Sequence, residues 1–276
     1  MMDTFSLPLP MTLIGGGNMA QALVSGWLKQ GVAASQLHVV EPLAATRAHL
    51  QNSLGGNCHE HAGPALSGSR LVVWAVKPQV FQEVAQPLAG LFPQALHLSV
   101  AAGVRSDSIC RWLNTQRVVR AMPNTPALVG LGQTGLFARS GVTPAERDQV
   151  QALMQAVGQS VWVETEDLLD AVTAVSGSGP AYVFFFIEAM VQAGVRMGLS
   201  EEQAHQLAVG TFVGASELAR SSSESPAVLR ERVTSKGGTT YAAITRMQAD
   251  GIPGLIEQAL GAAQQRAEEL GDSLDQ

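Results

Sequence analysis

Residues 11–20 read MTLIGGGNMA, and this stretch decides the fold class. Three apolar residues and the β-branched Thr12 at 11–14 predict a short buried strand. The glycines predict a tight turn, and residues 18–30 a helix. Gly15, Gly17 and Ala20 fit the pattern G-x-G-x-x-A between that strand and that helix. Gly15 permits the turn, Gly17 lets a pyrophosphate approach the backbone, and Ala20 allows close packing of helix on strand. The stretch therefore predicts a dinucleotide site with its phosphates at the helix N-terminus.

The rest of the first half alternates short apolar runs with helical patterns, which is typical of a parallel α/β sheet. We predict further strands at residues 38–40, 71–76, 95–100, 118–121, 134–139 and 160–164, and a helix that starts after Pro144. Glu41 ends the second strand, where an acidic residue binds the ribose of a dinucleotide. The predicted fold is a Rossmann-like, mostly parallel sheet domain over residues 1–165.

Long helical patterns replace the strands after about residue 165. They cover residues 181–197, 201–220 and 253–270. The first is apolar on more than one face, so other helices must cover it, from this chain or from another. We predict an all-helical dimerisation and substrate domain over residues 166–276, in an obligate dimer at minimum.

Composition narrows the classes of function. The 276 residues carry a net charge of −6, which argues against a general binder of nucleic acid or of anionic membranes. The strongest apolar run, 181–187, ends at Glu188, far short of the ~20 residues that a membrane span needs. The N-terminus shows no targeting signal. Cys58 and Cys110 lie far apart without metal-ligand spacing, so we predict reduced thiols, no metal and a cytoplasmic location.

Three loops follow predicted strands at the edge where open α/β sheets bind ligands. Residues 75–78 read AVKP: Lys77 could face a phosphate or a ribose or simply be solvated, and Pro78 fixes the loop. Residues 99–104 (SVAAGV) and 122–127 (MPNTPA) combine small side chains with prolines. They suit the floor under a flat nicotinamide ring, and by themselves they serve equally well as turns.

Two loops of the helical half are more specific. Residues 176–180 (SGSGP) precede the apolar helix, and residues 234–240 (TSKGGTT) crowd hydroxyls and glycines at the start of another helix. The N–H and O–H donors of residues 234–240 suit a carboxylate, whereas an ordinary cap needs only one Ser or Thr. No His, Lys or Cys stands in an acid–base or nucleophile motif, which favours a reaction with little proton chemistry for the protein to perform.

Six motifs occur in one order along the chain: GGGNMAQAL, AVKPQ, SVAAGV, VVRAMPNTPAL, DAVTAVSGSGPAYVF and VTSKGGTT. Together they closely resemble pyrroline-5-carboxylate reductase, from about residue 12 to the C-terminal helices. The resemblance implies reduction of L-1-pyrroline-5-carboxylate to L-proline by hydride transfer from NADPH or NADH. It also implies a homodimer with interlocked helical domains, and larger rings such as decamers. A cyclic imine is protonated in solution, so positioning and electrostatics suffice for catalysis.

The resemblance assigns roles to the matching positions. The cofactor-binding positions are Gly15, Gly16, Gly17, Asn18, Met19, Ala20, Ala75, Val76, Lys77, Pro78, Ala101, Ala102, Asn124 and Thr125. The substrate-binding positions are Ser235, Gly238, Thr239 and Thr240, with the Thr240 hydroxyl as the catalytic group near the ring nitrogen.

Two other functions compete with this one. A β-hydroxyacid dehydrogenase of the same architecture uses a Lys about one turn into the helix after a Gly-rich loop, whereas residues 180–184 (PAYVF) contain none. A non-catalytic dinucleotide sensor would keep residues 15–20 but would have no reason to keep the hydroxyl-rich loop at 234–240.

The chain departs from the family pattern at three places. Lys236 replaces the usual Pro and either loosens the loop or adds an anion contact, Arg232 stands where an Asn is common, and no Asn is evident around residues 61–62. Glu41 favours the free 2′-hydroxyl of NADH, while Arg47 could swing over to offset repulsion of the NADPH phosphate. We expect the enzyme to use both NADH and NADPH, with NADH less disfavoured relative to NADPH than is usual for the family.

Overall fold

A computed structural model describes residues 7–55 and 57–274 of the chain. Its centre is one eight-stranded sheet. The strands are β1 Met11–Ile14, β2 Leu37–Val40, β3 Asn57–His59, β4 Leu71–Trp74, β5 Leu96–Ser99, β6 Val118–Met122, β7 Gly132–Ala138 and β8 Gly158–Trp162. Their order across the sheet is β3-β2-β1-β4-β5-β6-β7-β8, and every neighbouring pair is parallel except β6 and β7. The predicted fold class is confirmed.

Eleven α-helices accompany the sheet in the described residues. They are α1 Asn18–Lys29, α2 Ala44–Leu54, α3 Phe81–Ala85, α4 Ser106–Leu113, α5 Pro144–Gln155, α6 Leu168–Val172, α7 Gly179–Arg196, α8 Glu201–Ser221, α9 Pro226–Arg232, α10 Thr239–Ala249 and α11 Ile252–Leu274. A π-helical turn, Thr173–Gly177, joins α6 to α7. The predicted SGSGP loop is therefore mostly helical, and only Ser178 separates the π turn from α7.

Two apolar cores pack on opposite faces of the sheet. Successive side chains of a strand point to opposite faces, so Leu13 belongs to one core and Ile14 to the other. Trp27 of α1 is fully buried in the first core, and its indole N–H donates to the Leu153 carbonyl at 2.9 Å. Trp74 and Phe81 anchor the second core, with ring centroids 5.3 Å apart.

The chain divides into two compact units. The first, which we call the sheet unit, comprises Met1–Ser178 and Ala263–Gln276, and the second, the helical unit, comprises Gly179–Ala262. The domain boundary expected between residues 165 and 166 stays a prediction.

The helical unit leaves much apolar surface exposed. Helices α7 and α8 contact each other through small residues: a Cβ on Gly194 would lie 3.0 Å from that of Ala204. Phe184 and Phe185, by contrast, are 66 % and 68 % exposed. By length and composition alone, the helical run Leu168–Arg196 is also sufficient to cross a membrane, although the sequence pattern predicted no such segment. The absence of a membrane partner therefore stays a prediction.

Candidate active site

The glycine turn after β1 is fixed by the neighbouring strands. The Gly15 N–H donates to the Val40 carbonyl at 2.8 Å, and the Ala75 N–H donates to the Ile14 carbonyl at 2.8 Å. Gly15 has φ +99°, and a Cβ there would lie 2.6 Å from the Ala75 oxygen. A side chain at this position is therefore excluded twice, by backbone conformation and by space.

Glu41 holds the second glycine. Its Oε2 accepts the Gly16 N–H at 3.0 Å, and its Oε1 accepts the Leu43 N–H at 2.9 Å. A Cβ on Gly16 would lie 2.6 Å from Leu50 Cδ1, so this glycine is required by packing. The buried Glu41 carboxylate is thus fixed beside the glycine turn, at the end of β2.

The N-terminus of α1 is open to a ligand. No side chain caps it, and a Cβ on the exposed Gly17 would meet nothing within 4 Å. The first intrahelical bond of this turn runs from Gln21 to Gly17, so the N–H groups of residues 18–20 have no acceptor within the helix. Free N–H groups and the helix dipole favour an anion here. The turn therefore fits the pyrophosphate of a dinucleotide.

The predicted strand-end loops lie along one edge of the sheet. Strands β1, β4, β5 and β6 are parallel neighbours, so the loops that follow them share that edge. Ala75 and Val76 are half-buried, Lys77 is exposed, and Pro78 starts a short 3₁₀ turn. Ala101 is buried after β5, whereas Ala102 next to it is exposed. These loops thus combine small side chains with the exposed Lys77.

Asn124 uses both ends of its amide within the sheet unit. Its Nδ2 donates to the Ser176 carbonyl at 3.0 Å, and its Oδ1 accepts the Gln133 N–H at 2.8 Å. The side chain is 7 % exposed, while Thr125 beside it is exposed. Asn124 thus links the loop after β6 to the π turn and to the start of β7, a role that the sequence did not indicate.

The loop at residues 234–240 lies in the helical unit. Gly237 has φ +75°, and the Gly238 N–H donates to the Ser235 carbonyl at 3.0 Å, closing a turn. Gly238 precedes α10, whose N-terminus has no side-chain cap. Thr239 and Thr240 form the first turn of that helix, Thr240 being half-buried. Despite its many hydroxyls, the loop leaves the N–H groups of this helix end without a side-chain acceptor, as an anion site requires.

The sheet unit contains a buried network of ion pairs that was not predicted from the sequence. Arg105 lies 2.9 Å from Asp170, and Arg120 lies 2.6 Å from Glu166, which also accepts the Ser106 N–H at 2.6 Å. Burial raises the pKa of Asp170, although Arg105 acts in the opposite direction. These groups neutralise one another inside the sheet unit. Their spacing in sequence carries no motif, so only the fold brings them together.

No metal cluster is evident in the part of the chain that the structure describes: no three His, Cys, Asp or Glu residues are placed to hold an ion. Cys58 and Cys110 are both free thiols. Burial raises the pKa of both, so neither is activated as a nucleophile.

Comparisons with known proteins agree with this geometry. Residues 166–270 match the family model "Pyrroline-5-carboxylate reductase dimerisation", and residues 10–103 match "NADP oxidoreductase coenzyme F420-dependent". The chain is 46 % identical to pyrroline-5-carboxylate reductase of Pseudomonas aeruginosa, over 96 % of this chain and 98 % of that one. The corresponding enzyme of Escherichia coli is 34 % identical over 94 % and 97 %.

Solved structures show the same relationship. A pyrroline-5-carboxylate reductase from Coxiella burnetii superposes with a TM-score of 0.91 at 36 % identity, covering 95 % of this chain and 98 % of that one. Pyrroline carboxylate reductase of Plasmodium falciparum, solved with NADP bound, gives a TM-score of 0.84 at 25 % identity, covering 96 % and 99 %.

Proposed function

The chain belongs to the family of pyrroline-5-carboxylate reductases, and from that premise we propose which of its residues perform the reaction. The reaction is the reduction of L-1-pyrroline-5-carboxylate to L-proline with NAD(P)H, in proline biosynthesis. The dehydrogenase and sensor functions considered from the sequence are therefore set aside. The single observation that supports the cofactor placement is the uncapped α1 N-terminus beside Gly17.

Residues 15–20 bind the pyrophosphate of the cofactor in this proposal. The free N–H groups of residues 18–20 donate to the phosphate oxygens, and the missing side chain of Gly17 leaves them room. Glu41 is placed at the adenosine ribose, since its carboxylate is fixed at the end of β2.

The loops after β4, β5 and β6 line the nicotinamide side. Residues 75–78 and 101–102 supply small side chains and the exposed Lys77. Asn124 positions the third loop through its two hydrogen bonds, and Thr125 faces outward from it. When bound, NAD(P)H supplies the hydride that is added to C5 of the imine.

The loop at 234–240 is our candidate for the substrate. The uncapped N-terminus of α10, with Ser235, Gly238 and Thr239, holds the carboxylate. The Thr240 hydroxyl oxygen accepts a hydrogen bond from the protonated ring nitrogen. The imine enters protonated from solution, so these residues orient it and stabilise its charge rather than deliver a proton. The sequence shows no acid–base motif, which is consistent with a proton that comes from solution rather than from a side chain.

Replacing Thr240 with Val tests the substrate site. A hydrogen bond to a charged group is worth ~1.5–3 kcal/mol, so we expect kcat/KM to fall by about ten- to a hundred-fold. The dissociation constant of NADPH, measured by fluorescence titration, is expected to stay within about twofold. Thr245→Val, on the exposed side of the same helix, is the matched control. Equal kinetics in both variants would remove Thr240 from the site.

The assembly and location are also proposals. The chain carries the family's dimerisation segment, and we propose a homodimer at minimum, with a decamer as the larger form. In this proposal a second copy of the chain, rather than a membrane, covers the apolar helices. The two proposed domains are residues 1–165 and 166–276. We also propose a cytoplasmic location, and the net charge of −6 argues against a nucleic-acid partner.

A further inference from the structure

Arg47 is held against the backbone beside Glu41. Its Nη1 donates to the Glu41 carbonyl at 2.9 Å and to the Pro42 carbonyl at 2.7 Å. Its Nη2 donates to Glu60 Oε2 at 3.0 Å, and the Arg47 side chain is 19 % exposed. Glu60 directly follows β3, a strand that the sequence pattern did not predict. Arg47 is therefore fixed by three acceptors rather than free to swing.

The charges around this arginine are unbalanced. Glu41 and Glu60 contribute two carboxylates against the single guanidinium of Arg47, which leaves one net negative charge. His61 Nε2 lies 3.5 Å from Glu60 Oε1, and the His61 side chain is mostly exposed. Because Arg47 pairs with Glu60, it does not offset the repulsion between the Glu41 carboxylate and a phosphate on the neighbouring ribose.

We infer that Glu60 determines the choice between NADH and NADPH by holding Arg47 on the carbonyls of residues 41 and 42. In this arrangement, Glu60 neutralises the Arg47 guanidinium, a cation that could otherwise pair with a 2′-phosphate, and occupies one of its donors. The site then favours the free 2′-hydroxyl of NADH. Glu60 acts through Arg47 and is a positioning residue, not a ligand of the cofactor.

The inference rests on the proposed position of Glu41 at the adenosine ribose. It is tested by direct binding, without substrate, as the ratio of the dissociation constants of NADPH and NADH in calorimetric titrations. Glu60→Gln keeps the size of the side chain and removes its charge, and Glu60→Ala also frees the Arg47 donor. We expect both variants to lower the ratio of the NADPH to the NADH dissociation constant by about 2- to 5-fold, as for the loss of one partly exposed ion pair. Asp148→Asn, an equal change of charge on α5, is expected to leave the ratio unchanged.

An Arg47→Met background separates the mechanism from general electrostatics. If Glu60 acts through Arg47, Glu60→Ala will have no effect on the ratio once Arg47 is gone. An equal effect in both backgrounds would overturn the inference, because the carboxylate would then act on the phosphate directly. Thermal unfolding of each variant shows whether the fold is retained.

Glu41→Ser separates failure of the inference from failure of the premise. We expect it to improve NADPH binding and to weaken NADH binding. If Glu41→Ser shifts the ratio and neither Glu60 variant does, the role of Glu60 is wrong and the ribose site stands. If none of the three variants shifts it, Glu41 is not at the ribose and both fail.

Discussion

The three glycines at 15–17 meet three different requirements. Gly15 is required by its positive φ, and Gly16 by the 2.6 Å approach to Leu50 Cδ1. Gly17 has ordinary dihedral angles, φ −68° and ψ −177°, and open space around it. Folding therefore does not require a glycine at Gly17, and a bound phosphate gives the physical reason for one.

Gly17→Ala is predicted to separate binding from stability. The new methyl group meets no protein atom, so we expect Tm to change by less than about 2 °C. It intrudes where the pyrophosphate binds, so NADH and NADPH should both bind at least tenfold more weakly in fluorescence titrations. Gly16→Ala is the comparison: its Cβ collides with Leu50 and Glu41, and Tm should fall clearly. Unchanged cofactor binding in Gly17→Ala would place the pyrophosphate elsewhere.

His97 is a titrating group inside the sheet. It lies on β5, is 4 % exposed, and accepts the Trp74 indole N–H on Nδ1 at 3.1 Å. Burial, with a smaller contribution from Arg117, lowers the pKa of His97 to about 4. Between pH 6.5 and 4, His97 therefore binds a proton in the unfolded chain but not in the folded chain. Lowering the pH through this range favours unfolding.

Lowering the pH from 7 to 4 is predicted to remove about 3 kcal/mol of the free energy of unfolding through His97 alone. Urea unfolding at several pH values and constant protein concentration measures this slope. His97→Gln keeps an acceptor for Trp74 and does not titrate, so its curve should be flatter by that amount. Parallel curves for the two proteins would contradict the assignment.

Among the secondary-structure elements, the strands that can be predicted from the sequence are those formed by a continuous run of apolar residues. Strand β1 and the cores of β4, β5 and β6 are found because each is buried on both faces. β3 reads Asn-Cys-His, which has no apolar run and lies at the sheet edge. β8 begins at Gly158, two residues before its predicted start. Gly158 pairs with Gly132 of β7 so closely that a Cβ there would lie 2.0 Å from the Gly132 oxygen.

Asn124 joins three elements, and its removal is predicted to destabilise the sheet unit. Asn124→Ala leaves the Ser176 carbonyl and the Gln133 N–H without their partner, at a cost of about 1–3 kcal/mol. Urea unfolding at constant protein concentration measures the loss. Asn124→Asp retains the acceptor for Gln133 but sets a carboxylate against the Ser176 oxygen, so it should be no more stable than Asn124→Ala. A wild-type midpoint for Asn124→Ala would show that the link carries no stability.

For the whole molecule, the sequence motifs predict which edge of the sheet binds the ligand. They do not predict the side-chain contacts that position the residues at that edge. Parallel strands bring their ends to one edge, so separate loops could be assigned to one site from sequence. The bond of Arg47 to Glu60 depends on strand β3, and the link of Asn124 to Ser176 spans 52 residues. Such pairs have no fixed spacing, so they became visible only in the folded chain.

The helical unit supports the last prediction, on the oligomer. Helix α7 exposes Phe184, Phe185 and Met190, and covering a Phe contributes about 1.5–3 kcal/mol. Such a surface is too apolar for a stable monomer, so light scattering at micromolar concentration should find a dimer or a larger form. Phe185→Glu places a charge in that surface and should dissociate or unfold the protein, whereas Gln155→Glu on α5 should do neither. A stable folded monomer would contradict the dimer, and flotation of the wild type with lipid vesicles would show that a membrane, rather than a second copy, covers α7.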